Sequence, residues 1–126
     1  MPNTEVLARR IAEIRTRFLE ALPQRLVEID ALAERLAPLP ADGPESAREG
    51  AAALHRIVHN VAGIAATLGL PELGRHALAI DRALAPAARE GEALTEEDIE
   101  AVRTAAAALR ASTDLQLSSS NSSRIS

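Results

Sequence analysis

The sequence predicts an all-α protein, folded as an antiparallel up-and-down four-helix bundle with an additional N-terminal helical segment. Apolar residues recur every three or four positions through most of the 126 residues, which is the spacing of one face of an α-helix. The core must be built from small and aliphatic side chains, because the chain has one Phe and neither Trp nor Tyr. Such side chains suit closely packed helices better than sheets. No segment shows the alternating pattern of a half-buried strand.

The first helix is predicted from about Thr4 to Leu22, on a stripe of one aromatic and four aliphatic residues. That stripe consists of Leu7, Ile11, Ile14, Phe18 and Leu22. Pro23 then predicts a kink or the start of a separate helix, because proline lacks the N–H that a helix interior uses. The pattern resumes as far as Leu36, so one long bent helix is the alternative, and in that case two copies of the bundle could pair. A loop rich in Pro and Gly follows at 38–44.

The second helix is predicted over 46–68 and forms a hairpin with the third. Ser46 and Glu49 have the spacing of a capping box, in which each side chain bonds the backbone N–H of the other residue. Gly69 is predicted to end the helix, and Pro71 to begin the next one. Because so few residues separate the two helices, they must run antiparallel against each other.

Two further signals mark the ends of the later helices. Pro86 is predicted to kink the third helix or to end it early. Thr95 and Asp98 resemble a second capping box, which opens the last helix.

The end of the sequence is rich in serine and poor in residues that could be buried. We therefore divide the chain into a helical bundle at 1–111 and a disordered tail or linker at 112–126.

Composition and charge exclude several classes of function. The net charge of −4 and a pI near 5.4 disfavour nucleic-acid binding, and no basic patch with interleaved aromatic residues is present. The absence of cysteine excludes disulfides and zinc sites built on thiolates. No apolar run approaches the roughly 18 residues that span a membrane, and the N-terminus lacks the apolar core of a secretory signal. We expect a cytoplasmic protein that binds neither membrane nor nucleic acid.

His59 is the most informative residue, because the second helix should direct it toward solvent. The larger apolar residues of that helix, together with one alanine, form a single stripe. They are Leu54, Ile57, Val58, Val61, Ala65 and Leu68. At about 100° per residue, His59 lies roughly 150° from the centre of this stripe. The ordinary interpretation of such a histidine is a solvated surface residue, but its surroundings argue for more.

The residues that share the face of His59 are unusually small for an exposed helix surface. They are Ala52, His55, Ala62, Gly63 and Ala66. Gly63 costs about 1 kcal/mol relative to alanine inside a helix, so something should compensate for it. Close approach of a partner protein is the functional explanation, and close packing against another helix is the structural one. The outward direction of Gly63 favours the partner.

At these residues the chain resembles the histidine-containing phosphotransfer (HPt) domains of two-component phosphorelays. That family combines a helical His, a Gly four residues later, small residues after it, a Leu-Gly or Phe-Gly pair at the helix end and a hairpin into the next helix. The matching sequence here runs from His59 to Leu73 and is HNVAGIAATLGLPEL. The resemblance covers about residues 15–110 and implies an all-helical bundle.

The resemblance implies that the protein is a phosphocarrier and not an autonomous enzyme. His59 is expected to accept a phosphoryl group on Nε2, from a receiver-domain aspartyl phosphate or from a hybrid histidine kinase, and to pass it to another receiver aspartate. No cofactor is expected on the chain, since the Mg²⁺ of the reaction belongs to the receiver. The residues expected to contact the partner are His55, Arg56, Ala62, Gly63, Ala66, Arg75 and Arg82. We expect a monomer, with a dimer as the alternative.

One position departs from the family pattern. Members usually carry Lys three residues after the histidine, where it favours the charge of the phosphoryl group, and this chain has Ala62. Arg56, one turn before His59, could take its place, although a solvated arginine is the simpler interpretation. Ala62 leaves open a receiver-binding module that has lost transfer. The alanine-rich faces leave open a bundle that only self-associates.

The remaining polar residues carry weaker signals. His55 and His59 have the i, i+4 spacing of a zinc pair, but no Asp or Glu stands on that face and HExxH is absent, so we predict no metal site. His76 is predicted at the edge of the inner face of its helix. Three arginines recur every seven residues on the outer face, where they either meet acidic residues of a receiver or are solvated. These are Arg75, Arg82 and Arg89.

Overall fold

The computed structural model describes residues 2–37 and 43–125, which form four α-helices. They are α1 (Pro2–Glu34), α2 (Pro44–Thr67), α3 (Pro71–Glu90) and α4 (Glu96–Ile125). These described residues contain no strand. The helices contact one another in a closed ring, α1 with α2, α2 with α3, α3 with α4 and α4 with α1, and α2 and α3 pack most extensively. The predicted all-α four-helix bundle is therefore confirmed.

α1 is one continuous helix, so Pro23 does not start a separate one. Pro23 is exposed, while the leucines one position before it and three positions after it are buried. Their packing holds the helix together across the one hydrogen bond that proline cannot donate. The predicted N-terminal segment is the first part of α1, in which every residue from 3 to 15 is exposed. Arg15 ties this segment to the bundle, with Nε donating to the carbonyl oxygen of Leu68 at 3.0 Å.

The start of α2 differs from the prediction. The helix begins at Pro44, preceded by Gly43 with a φ of 96°. No side chain caps this end, so the predicted box between Ser46 and Glu49 does not form. Proline is favoured in a first turn because its φ is already helical, and here it starts the helix before Ser46 is reached. The predicted loop lies mainly at 38–42, outside the described residues.

The turn between α2 and α3 agrees with the prediction. Gly69 has a φ of 71°, a left-handed conformation that favours glycine. The N–H of Leu70 donates to the carbonyl of Ala65 at 2.9 Å, and the N–H of Gly69 to that of Ala66 at 3.4 Å. These two bonds form a Schellman motif, and Pro71 starts α3 directly afterwards. This short, hydrogen-bonded turn sets the alignment of α2 against α3.

The signals at the later helix ends give one error and one confirmation. α3 continues through Pro86 to Glu90, so the prediction of an early end is wrong. The capping box at the start of α4 is confirmed. The N–H of Asp98 donates to Oγ1 of Thr95 at 3.0 Å, and the N–H of Thr95 donates to Oδ2 of Asp98 at 3.2 Å.

α4 continues beyond residue 111 to Ile125, so the structure contradicts the predicted disordered tail over 112–125. Thr113 is fully buried, and its Oγ1 donates to the carbonyl oxygen of Leu109 at 2.7 Å. Leu117 packs against the core. These three residues follow one another at intervals of four, so the buried stripe of α4 extends into the serine-rich sequence. The predicted boundary at 111 is therefore not a structural boundary.

The core consists of aliphatic side chains from all four helices. Its larger, fully buried members are Leu22, Leu26, Ile29, Leu54, Val58, Leu73, Ile80, Leu84, Val102 and Leu109. An ion pair between Arg110 and Asp30 joins α4 to α1. None of the helices in the described residues has the length and apolar character needed to cross a membrane.

Candidate functional site

His59 lies on the exposed side of α2, as its position on the helix predicts. Its side chain is 67% exposed. Leu54, Val58 and Val61 are buried in the core. These large apolar residues set the rotation of α2 about its axis, and that rotation presents the imidazole of His59 to solvent.

An acidic residue of α3 holds the ring of His59. Nδ1 of His59 lies 2.7 Å from Oδ2 of Asp81, which is a hydrogen-bond distance. The carboxylate is only 8% exposed, because Asp81 follows the buried Ile80 and lies on the side of α3 that faces α2. Since an ionised carboxylate only accepts hydrogen bonds, Nδ1 carries the proton and donates it. Nε2 of the neutral ring is then the nitrogen with the free lone pair.

His55 contacts the other oxygen of the same carboxylate. Its Nε2 lies 2.8 Å from Oδ1 of Asp81, in a charge contact that lacks the alignment of a hydrogen bond. The rings of His55 and His59 are stacked, with centroids 5.8 Å apart and planes inclined by 17°. Only 15% of the His55 side chain is exposed. The expectation that His55 offers an open contact to a partner is thus corrected, because Asp81 draws it into the α2–α3 interface.

The two histidines keep Asp81 ionised. Burial of the carboxyl group acts to raise the pKa of Asp81, but the hydrogen bond from His59 and the charge of His55 outweigh it. The pKa of Asp81 therefore lies below its ordinary value, and the group is a carboxylate at neutral pH. The anion beside Nδ1 stabilises any positive charge that develops on the ring of His59.

The prediction that no Asp or Glu stands on the face of His55 and His59 is wrong, because Asp81 reaches that face from α3. Its carboxylate contacts His55 at 2.8 Å and His59 at 2.7 Å. In the part of the chain that the structure describes, no cluster of three or more His, Cys, Asp or Glu side chains is arranged to hold a metal.

A groove with mainly apolar walls, here called the apolar groove, runs from His59 to the turn between α2 and α3. It is lined by His59, Ala62, Gly63, Ala66, Gly69, Leu70, Pro71, Gly74, Arg75, Leu78 and Asp81. Leu78 is exposed although it is large and apolar. Three of the residues predicted as partner contacts, Ala62, Gly63 and Ala66, thus lie together on one wall of this groove, next to the imidazole.

Gly63 and Gly74, two of the three glycines that line the groove, have different surroundings. A methyl group on Gly63 would meet no atom within 4 Å, so the fold itself does not require this glycine. A methyl group on Gly74 would lie 3.7 Å from the carbonyl oxygen of Ala62 and from Cβ of Ala65. A methyl group on Gly74 would thus make ordinary van der Waals contact with α2, while the space above Gly63 is open to solvent. The structural explanation for Gly63, packing against another helix of this chain, is excluded.

A second open surface meets the groove at His59. We call it the basic recess, and it is lined by Ala52, His55, Arg56, His59, Asn60, Ala88 and Arg89. Arg56 is exposed and comes from α2, whereas Arg89 comes from the end of α3. The recess thus brings together two arginines that are 33 positions apart in the sequence.

The other predicted residues lie further from His59 or have partners of their own. Arg75 lines the groove, and one of its terminal nitrogens lies 2.5 Å from Oε2 of Glu72. Arg82 is exposed on α3 but lines neither the apolar groove nor the basic recess. His76 is half-buried, as predicted for the edge of its helix, with Nε2 3.9 Å from the same carboxylate of Glu72.

Sequence reasoning missed Asp81, although a signal for it exists. Asp81 stands four residues after the buried Ala77 and three before the buried Leu84, which places it on the inner stripe of α3. An acidic residue on such a stripe needs a polar partner, because an unpaired buried charge is costly. The histidines of the neighbouring helix were the available partners.

The comparisons with known proteins place most of the chain in one family. Residues 13–112 match the family model of the Hpt domain. The match covers α2 and α3 completely, together with most of α1 and the first half of α4. No curated protein and no solved structure gives a significant match.

Proposed function

The chain belongs to the Hpt domain family, and from that premise we propose that it is a phosphocarrier of a His-Asp phosphorelay that takes up and returns a phosphoryl group on His59. One observation carries the proposal. His59 is exposed, and its Nδ1 is held by a buried carboxylate, which leaves Nε2 free as a nucleophile. Family members are phosphocarriers rather than catalysts, so the proposed role is that of a carrier.

In the proposed transfer step the lone pair of Nε2 attacks the phosphorus of an aspartyl phosphate on a receiver domain. The N–P bond forms as the P–O bond to the aspartate breaks, and the electron pair of that bond leaves with the aspartate carboxylate. No proton has to be removed from Nε2, since the ring proton sits on Nδ1. The ring gains positive charge as the N–P bond forms, and Asp81, 2.7 Å from Nδ1, stabilises that charge. The return of the phosphoryl group runs through the same contacts.

The partner we propose is a receiver domain or a hybrid histidine kinase, docked on the apolar groove. Members of the family interact with receivers and histidine kinases in general. The groove offers apolar contact beside the nucleophile, and Gly63 leaves open space where a partner's backbone can come close. The Mg²⁺ that supports phosphoryl transfer is assigned to the receiver.

Transfer from a panel of phosphorylated receiver domains tests the proposal. The wild type is expected to acquire acid-labile, base-stable phosphate, and His59→Gln is expected to acquire none. His76→Gln is the matched control, because His76 lies on α3 beside Glu72 and away from the nucleophile. Label on His59→Gln, or no label on the wild type from any receiver or kinase tested, would overturn the assignment of His59 as the carrier.

A second candidate function follows from Ala62. This residue stands where the family usually has a lysine, so the chain could bind receivers without accepting phosphate. Receiver binding with no phosphate on His59 supports this alternative. Ala62→Lys would then be the first variant to examine, and it is expected to restore labelling if the missing cation is the cause.

A further inference from the structure

The basic recess has a composition that the apolar groove does not share. Arg56, Arg89 and Asn60 give it hydrogen-bond donors on both helices, and none of its lining residues carries a carboxylate. His59 belongs to both surfaces, so an anion attached to its ring borders the recess. In a chain with a net charge of −4, this concentration of cations around the nucleophile needs an explanation.

Phosphorylation would create a charge problem at this place. A phosphoryl group adds about −1.5 to −2 charges at neutral pH. It would join a ring that already touches the carboxylate of Asp81, so two anions would flank the same imidazole. Position 62, where the family usually provides a lysine, holds an alanine. Cations close to the phosphoryl group would stabilise its charge, and those that line a surface with His59 are the candidates.

Arginine is well suited to this role. Its planar guanidinium presents several N–H groups that match phosphoryl oxygens, and its charge does not depend on pH in the physiological range. Arg56 stands three residues before His59 on α2, and Arg89 approaches the same recess from α3. Arg75 of the apolar groove is less suitable, because it already pairs with Glu72 at 2.5 Å.

We propose that Arg56 and Arg89 bind the phosphoryl oxygens of phosphorylated His59 in the basic recess, in place of the lysine that is missing at position 62. This inference rests on the proposed function, since it requires that His59 carries the phosphoryl group. It assigns the two arginines as residues that stabilise the phosphorylated state, whereas the apolar groove serves the partner. The loss of Lys at Ala62 is thereby compensated, and transfer is retained.

The test uses the full chain phosphorylated on His59 by phosphoramidate, a small-molecule donor that needs no receiver. The ³¹P NMR signal is followed as a function of pH in the wild type, Arg56→Ala, Arg89→Ala and the double variant. Nearby cations lower the pKa of a phosphoryl group, so each single substitution is expected to raise that pKa by about 0.5, and the double variant by more. Arg56→Lys is expected to restore part of the effect. Arg103→Ala, an exposed arginine of α4, is the control and should match the wild type.

A second measurement reports on the energetics of the phosphorylated state. At equilibrium with a phosphorylated receiver, the ratio of phosphorylated to free His59 is expected to fall about threefold in each single variant. In the double variant it should fall about tenfold, a factor that corresponds to about 1.4 kcal/mol. Variants that carry phosphate on His59 with an unchanged pKa and an unchanged equilibrium would overturn this inference alone. Failure of wild-type His59 to hold phosphate would overturn the proposed function and this inference with it.

Discussion

Gly63→Ala should stabilise the protein and at the same time impair its proposed function. Gly63 lies in the interior of α2, and a methyl group added to it would meet no atom within 4 Å. The substitution therefore adds helix propensity without any steric cost in the free protein. Alanine is favoured over glycine by about 1 kcal/mol at such a position. For a domain of this size that gain corresponds to a rise in melting temperature of roughly 4 °C.

The effect on transfer should have the opposite sign. The new methyl group would project into the apolar groove, one helical turn from His59, where the receiver is proposed to dock. An overpacked contact costs about 1–3 kcal/mol, so the rate of transfer from a phosphorylated receiver at limiting concentration should fall roughly five- to 140-fold. The assay measures that rate together with thermal unfolding by circular dichroism. Labelling by phosphoramidate should stay unchanged, because the small donor does not need the docking surface.

Gly50→Ala is the matched control for this prediction. Gly50 lies in the same helix, a methyl group on it would also meet no atom within 4 Å, and it is nine residues before His59. It should raise the melting temperature by a similar amount and leave transfer unaffected. If Gly63→Ala is stabilised and transfers as fast as the wild type, the proposal that a partner approaches this glycine is refuted. If Gly63→Ala is destabilised, the helix-propensity argument itself is wrong.

Three further predictions address the site, the core and a helix cap. Asp81→Asn should slow phosphorylation of His59 by roughly tenfold or more, since a hydrogen bond to a charged group is worth about 1.5–3 kcal/mol. Because the folded-state pKa of Asp81 is lowered from its ordinary value of 3.8, its stabilising effect is complete above that value and is lost as the pH falls through the folded-state pKa. Denaturant unfolding should therefore show a wild-type advantage over Asp81→Asn that shrinks as the pH falls below the unfolded-state pKa, and a constant difference would contradict the direction of the pKa shift. Leu22→Ala should cost about 2–5 kcal/mol of unfolding free energy, whereas Leu7→Ala, at a residue 60% exposed, should change it by less than about 0.5 kcal/mol. Thr95→Ala should cost about 1 kcal/mol through loss of the cap, and no change in chemical denaturation would show that the box does not stabilise α4.

The four-helix bundle and the outward direction of His59 could be predicted because both depend on the periodicity of large apolar residues. The turn at Gly69 and Pro71 was equally predictable, since each residue has a local conformational preference that the fold satisfies. Local signals failed where tertiary packing outweighs them. Pro86 did not end α3, and the low apolar content after residue 111 did not end α4.

Asp81 illustrates a different limit of sequence-based prediction. Its importance comes from a contact between two helices, and nothing in its local sequence names the partner. The rule that a buried charge needs a partner identifies Asp81 as unusual, but the choice of His55 and His59 depends on the alignment of α2 with α3. That alignment follows from the length of the turn between α2 and α3. The sequence predicted this turn, but it did not predict that the turn would bring Asp81 to the two histidines.

The hairpin explains how a small bundle can hold a nucleophile in one orientation. His59 stands about ten residues before Gly69, and Asp81 about twelve residues after it, so the two reach nearly the same height along antiparallel helices with a rise of about 1.5 Å per residue. A shift of one residue in either helix would rotate one of the side chains by about 100° and break the contact. The Schellman bonds of the turn oppose such a shift. The orientation of the imidazole is therefore a property of the α2–α3 packing, and it does not require the partner to be bound.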